Sequence, residues 1–393
     1  MPSAVVTVDL ERIPLVIDGL DGYSRAFVYL QLRGRVVDQV RLPVRDGRLA
    51  GADIHTAMAK QGSYAVWDRW LRNHLGWEEP GASATGVRAT VAVCTRERPD
   101  DLERCLSALE AMPDDRQEIL VVDNAPGTEA TRRVVARHPR ARCVREDRRG
   151  LNAARNRALA EASHEVVAFI DDDAVADPGW LRGLVRNFAD PLVQCVTGLT
   201  LPLELETVAQ EWQEILSPFG RGFERRVFDT TVLSPPSAGL TGAGVNMALR
   251  RGVPTLLGPF DEALDAGTVT RSGGDNEMFS RIIGAGFRIV YDPAALSWHR
   301  HRRTWPELRQ AFYGYGAGVY AAWTRSLLFE GELHVLRAAH WWLLNHHMRA
   351  LMRSLLRRPG SAPLDLVLAE LGGCAAGPWA YLASRRRLRR GAP

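Results

Sequence analysis

Between residues 87 and 171 the chain alternates apolar strands with amphipathic helices, and this rhythm most narrows what it can fold into. ATVAVCT, EILVVD, RCVRE and VVAFID are short, apolar, β-branched runs. DDLERCLSALEAM, TEATRRVVARH and LNAARNRALAEA fall between them with helical spacing. Apolar strands linked through helices predict a mostly parallel sheet covered by helices on both faces, an α/β fold. The rest of the 393 residues flanks this unit. Residues 1–77 read as a small β-rich domain: VVTVDL, the alternating FVYLQLRGRVVDQVRLPV, DGRL, then a short helical YAVWDRWLRNHLGW. EEPGASATG (78–86) is small, polar and Pro/Gly-bearing, which marks a linker. The α/β domain then runs over 87–310, and residues 311–393 form a C-terminal helical region.

Composition removes several function classes. Hydrophobic residues at 46% and charged residues at 24% describe a globular chain with a core, not a disordered or collagenous one. A net charge of +4 is too mild to argue for nucleic acid as a partner. Lys60, in HTAMAKQG, is the single lysine, with no glycine-rich approach. Schiff-base catalysis and a lysine-bearing phosphate loop are therefore not expected. The five cysteines are scattered, odd in number and never in a CxxC pair, which excludes a zinc ribbon or disulfide framework and predicts reduced, buried thiols. MPSAVVTVDLERIP lacks the basic-then-apolar pattern of a signal peptide. No stretch offers about 18 uncharged apolar residues, so no spanning helix is expected. Both features predict a cytoplasmic protein.

In parallel sheets, ligands bind beyond the carboxyl ends of the strands, so polar residues there carry the functional expectation. FIDDDAVADPGW runs a buried strand into Asp171, Asp172 and Asp173. Adjacent carboxylates repel unless a cation or hydrogen-bond donors meet them. Residues i and i+2 of a strand share a face, so Asp171 and Asp173 can meet one ligand, and oxygen donors suit Mg²⁺ or Mn²⁺. The plainer alternative is a solvated acidic turn, with Asp177 before Pro178 capping the next helix. VAVCT ends in Thr95, Arg96, Glu97 and Arg98; LVVD ends in Asp123 and Asn124. CVRED leads to RRGLNAARNRAL, where Gly150 and Leu151 open a helix bearing Asn152, Arg155 and Asn156. Free N–H groups at a helix start, with Arg155 one turn in, suit an anionic group. Arg155 pairing with Glu161 at the surface is the alternative.

Taken in order, VAVCTRERPDDLERCLSAL, EILVVDNA, RRGLNAARNRAL and FIDDDAVADPGWL resemble the family 2 glycosyltransferases of the GT-A fold. TGAGVNMALRR (241–251), GPFDEAL (258–264), SGGDNEMFSRIIGAGFRIVYDP (272–293) and SWHRHR (297–302) extend the resemblance over roughly residues 87–305. It implies that Thr95, Arg96, Glu97, Asp123, Asn152, Arg155, Asp171 and Asp172 handle the nucleotide of a nucleotide-diphosphate sugar, most simply a UDP sugar. It also implies that Asp173 ligates a divalent metal with His299, whose rival is His301. Asp275 matches the family's general base. The family usually has Glu-Asp there, whereas this chain has Gly274-Asp275, which makes Glu277 a rival. One base and one metal fit direct, inverting displacement onto a hydroxyl acceptor: a glycan, a lipid-linked intermediate or a secondary metabolite. Asn246 and the TGAG before it would form the acceptor-side floor, or simply a tight turn into a strand. A non-catalytic nucleotide-sugar-binding protein on the same scaffold, or a nucleotidyltransferase, are the rival functions.

Toward the C-terminus, LRRP (356–359) and RRRLRR (385–390) flank an apolar stretch holding Trp379 and Tyr381. Basic residues beside interfacial aromatics suit peripheral contact with the inner face of a membrane. A helical hairpin packed on the sheet with a solvated basic tail fits the same residues. Trp341-Trp342 and His346-His347 read as packing and helix-face residues.

Overall fold

A computed structural model describes residues 2–61, 64–76 and 86–390. The linker expected at 78–86 lies outside the described residues except for Gly86. At the N-terminus, β1 (Ser3–Asp9), β3 (Arg25–Leu32) and β4 (Arg35–Pro43) form a three-stranded sheet in the order β1-β3-β4, and β2 (Val16–Ile17) pairs with β5 (Leu49–Ala50). Two helices follow, α1 (Gly51–Gln61) and α2 (Tyr64–His74). Of these, α1 has no counterpart in the sequence reading, because its apolar residues are few and weakly periodic.

The central domain contains β6 (Ala89–Thr95), α3 (Pro99–Ala111), β7 (Glu118–Asn124), α4 (Ala130–Val135), β8 (Ala141–Glu146), α5 (Leu151–Glu161), β9 (Val166–Asp171) and β10 (Ala174–Ala176). It continues with α6 (Trp180–Val185), β11 (Val193–Pro202), α7 (Val208–Leu216), β12 (Arg226–Phe228), β13 (Asn246–Arg250), α8 (Val253–Leu257), α9 (Gly274–Gly284) and β14 (Arg288–His299). The sheet order is β10-β14-β11-β13-β9-β6-β7-β8, with β12 added on β14. Strands β9, β6, β7 and β8 are mutually parallel, as the alternation predicts, while β13 runs against both of its neighbours. The period-two rule sorts β6 between two cores. Ala89, Val91 and Val93 pack with Leu102 and Leu106 of α3 and Leu184 of α6, whereas Ala92 packs with Ala154 and Ala158 of α5.

The N-terminal sheet is not a detached module. Phe27, Tyr29 and Val36 belong to the same buried cluster as Phe169, Leu199 and Leu201 of the central sheet. Tyr29 meets Trp298 edge-on at 6.1 Å, and the Ser3 N–H donates to the Leu205 carbonyl at 2.8 Å.

Beyond the sheet come α10 (Trp305–Arg325), α11 (His334–Trp342), α12 (Arg349–Leu355) and α13 (Leu364–Arg389). Two π-helical turns, Ser326–Glu330 and Leu343–Met348, interrupt the run. Helix α13 is long and apolar enough to cross a membrane by length and composition, at mean hydropathy 1.2, although it carries Asp365 and Glu370. Instead it lies along α10. Tyr381, read from the sequence as an interfacial aromatic, is fully buried and donates its hydroxyl to Asp261 at 2.7 Å, while Trp379 is 74% exposed.

Candidate active site

The parallel strands end together, which brings Thr95, Asp123, Glu146 and Asp171 to one edge of the sheet. Asn246, first in the antiparallel β13, sits beside Ile170, so the TGAG segment before it opens onto the same edge. Strand β10 places Ala174 opposite His299 of β14, and that register carries Asp173 to the histidine. His299 Nε2 lies 3.1 Å from Asp173 Oδ1. One donor atom from each of Asp171, Asp173 and His299 falls within 4.8 Å of the others. Two carboxylates and an imidazole with this convergence fit a divalent cation.

The charges around this cluster are unevenly settled. Burial and the neighbouring Asp173 push the Asp171 carboxyl up, and the same causes raise Asp172 to about 6. Burial also works against Asp173, but His299, Arg302 and Arg98 hold it well below the usual carboxylate range. Arg98 bridges Asp172 and Asp173 at 3.1 Å each. Sequence reasoning gave Arg98 no role, although it stands among the polar residues that end β6.

A buried relay stands behind His299. Its Nδ1 is 3.3 Å from His301 Nδ1, and His301 Nε2 is 3.0 Å from Glu214. His301 is therefore a supporting neighbour of His299 here. Burial raises the Glu214 carboxyl to about 8, against the pull of Arg41. Once protonated, Glu214 donates to His301 Nε2, His301 donates to His299 Nδ1, and His299 Nε2–H points at Asp173. Tyr29 of the N-terminal sheet is buried next to Glu214, and burial and that carboxyl drive its own pKa up.

The stability consequence has a definite sign. Between about pH 4.5 and about pH 8 the folded chain keeps the Glu214 proton and the unfolded chain does not, so this contribution is full below that window and lost as pH rises through it. Wild type should lose up to about 5 kcal/mol across the window, and Glu214→Gln should flatten that slope. Unfolding midpoints in denaturant at the two ends of the window check it.

A cavity of about 480 Å³ adjoins the cluster, and Asp171, His299, Arg155, Asp275 and Gly244 are among its lining residues. Asp275 owes its place to a strained helix start. Gly273 takes φ +99° with its Cα against α10, where a Cβ would lie 2.3 Å from the Gly318 carbonyl. Asp275 thus falls in the first turn of α9, accepting from its neighbour's Asn276 N–H at 2.8 Å and from the Gly244 N–H at 2.7 Å. Gly244 must be small, because a Cβ there would stand 2.6 Å from Arg155 Nη2 and 3.0 Å from the Asp275 side chain. Glu277 is fully buried in ion pairs with Arg281 and Arg325, both at 2.6 Å.

Other expected residues are placed less simply. Arg155 is 4% exposed and bound to Asp265 at 2.7 Å, not paired with Glu161 at the surface. Asp265, at φ +81°, had no role in the sequence reading; backbone strain beside a cleft is a signal only a structure displays. Asn152 is wholly buried, donating to the Asp261 carbonyl and accepting from Arg155, so its amide is spent inside the fold. Asn246 is a correction of the same kind. It binds Trp180 Nε1, the Leu199 and Ala295 carbonyls and Ser297, beneath the sheet edge and not in the cavity floor. Asp172 points inward, accepting from Thr95 Oγ1 at 2.7 Å. Asp177 is no helix cap: the cap position of α6 is Gly179, whose N–H Asp177 accepts at 3.0 Å.

Toward the expected nucleotide end, Glu97 (φ +54°) accepts from the N–H groups of Gly127 and Thr128. Arg96 is exposed and reaches the Ala125 carbonyl at 3.4 Å. Asp123 keeps a buried Oδ1 with no hydrogen-bond partner among the described residues. His346, His347 and Glu370, from the second π turn and α13, come together in the lining of the same cavity.

Residues 90–252 match the model of glycosyl transferase family 2. The pre-mycofactocin glycosyltransferase of Mycobacterium tuberculosis (strain H37Rv) is 30% identical over 247 residues, 59% of this chain and 47% of the relative. The chain thus spans about half the length of that relative. Glycosyltransferase AglE of Haloferax volcanii is 23% identical over 266 residues, covering 65% of this chain and 79% of its own. Among solved structures, the mannosyltransferase PcManGT from Pyrobaculum calidifontis, in complex with GDP-Man and Mn²⁺, superposes with TM-score 0.49 at 22% identity, over 85% of this chain and 96% of that one. The match to the model of glycosyl transferase family 2 falls on the strands and helices that build the acidic edge.

Proposed function

We propose that this chain is a metal-dependent, inverting glycosyltransferase that moves a sugar from a nucleotide-diphosphate donor, most simply a UDP sugar, to a hydroxyl acceptor. The observation that carries the reading is that Asp275 lines the same cavity as Asp171 and His299. A base and a cation-binding cluster thus face one cavity. Asp275 is the base, since its carboxylate meets the cavity and is held only by N–H donors, whereas Glu277 is occupied by two arginines. The acceptor hydroxyl gives its proton to Asp275 as its oxygen attacks the anomeric carbon, and a single displacement inverts that centre. A Mg²⁺ or Mn²⁺ ion held by Asp171, Asp173 and His299 would supply charge stabilisation for the diphosphate leaving group. Thr95, Glu97 and Asp123 receive the base and ribose at the ends of β6 and β7, and Asp123 Oδ1, without a hydrogen-bond partner among the described residues, accepts a hydroxyl or N–H of the nucleoside. All five cysteines are free thiols, which suits a cytoplasmic working place.

Calorimetric titration with UDP, GDP and dTDP, each with and without Mn²⁺, tests the donor site. Binding of one nucleotide that tightens with the metal is expected. No binding to any of them would remove the donor reading, and binding without sugar transfer would leave a nucleotide-sugar-binding protein.

A further inference from the structure

The sequence reading set the membrane-facing feature on LRRP (356–359), RRRLRR (385–390) and the apolar stretch between them, yet much of that last helix is occupied by α10. The segment before it carries a different surface. From Leu333 to Leu364 the chain contains no Asp or Glu and five arginines: Arg337, Arg349, Arg353, Arg357 and Arg358. All five are exposed, and none makes an ion pair with another described residue. Among them, Leu336, Trp341, Leu344, Met352, Leu355 and Leu356 turn outward, each between 48% and 60% exposed. An isolated exposed leucine needs no explanation, but six large apolar side chains on one helical segment do. The π turn Leu343–Met348 lies between α11 and α12 and shifts the phase of the helix there. On the inner side, Trp342, His347 and Ala350 of the same segment line the active-site cavity.

We infer that α11, the π turn and α12 form an interfacial docking surface for an anionic lipid bilayer. The outward leucines and Trp341 enter the boundary between headgroups and acyl chains, and the arginines meet the lipid phosphates. Charge complementarity decides the occupant. A protein partner or a second copy of this chain would have to offer acidic groups to five unpaired arginines, whereas an anionic bilayer offers both negative charge and apolar depth to a flat, basic, aromatic-bearing helix. The inference is independent of which nucleotide or acceptor the enzyme uses.

The full chain should co-sediment with vesicles of phosphatidylcholine mixed with phosphatidylglycerol, and much less with phosphatidylcholine alone. Replacing Arg353, Arg357 and Arg358 together by Gln should lower partitioning into the anionic vesicles by about 100-fold. Replacing Leu336, Trp341 and Leu355 by Ser should abolish it, while thermal unfolding and nucleotide binding stay at wild-type values. Wild type remaining in the supernatant with anionic vesicles would overturn the inference. So would partitioning unchanged in both variants, or a wild-type dimer in light scattering that becomes monomeric in the Ser variant with no vesicle binding in either.

Discussion

Asp275→Asn should leave nucleotide affinity nearly unchanged and lower turnover by about 10²–10⁴-fold. Asparagine keeps the size of the side chain, and its carbonyl oxygen can still accept the Gly244 N–H that holds Asp275 in place. What it loses is the ability to take a proton from an attacking hydroxyl. Release of UDP from a UDP sugar, with water or a hydroxyl compound as acceptor, provides the rate, and calorimetry provides the affinity. Full turnover would remove Asp275 as base. Glu277→Gln makes the informative contrast. Removing its charge leaves the buried Arg281 without its carboxylate, while Arg325 keeps Glu330 and Asp261, so the loss should appear first in stability, at about 3–5 kcal/mol.

Asp173→Ala should abolish the metal-dependent part of nucleotide binding and spare whatever binding occurs without metal. Losing an outer-shell partner of a metal ligand typically costs 10–100-fold in metal affinity, and loss of a ligand itself should cost at least that. The same substitution leaves Arg98 and Arg302 without the carboxylate they share, and Arg98 can fall back on Asp172, so the fold should survive. Titrating the variant with nucleotide, with and without Mn²⁺, reads this directly. Equal tightening by Mn²⁺ in variant and wild type would reject Asp173 as a ligand.

The parts of the molecule that could be read from the sequence are those whose signal is local. The strands of the acidic edge are continuous apolar runs, so their existence, order and direction follow from periodicity. The DDD turn announces itself because three carboxylates at the end of a buried strand demand compensation. Asn152 and Asn246 misled because a polar residue beside a cleft looks the same in sequence whether it faces the ligand or ties loops together underneath. Arg98, Asp265 and Glu214 were missed for a related reason. Their roles arise from contacts with residues 74, 110 and 87 positions away, and no pattern within a single strand or helix encodes such pairs. The C-terminal helices are aromatic and basic in sequence, but which of their faces is free depends on the packing of α13 against α10.

The row of groups from Tyr29 through Glu214 and His301 to His299 joins segments that a domain map keeps apart. Glu214 belongs to α7 in the catalytic domain, Tyr29 to the opening sheet, and the two meet only in the assembled core. Residues 90–252 match the family model, yet the buried row reaches outside that span to Tyr29 and His301. An exchange of the first seventy residues between related enzymes would replace the far end of the row while leaving the near end at the metal cluster. Such recombinants would stay viable only if the incoming strand and α7 had changed together, so the opening sheet and the catalytic domain should share one ancestry instead of two.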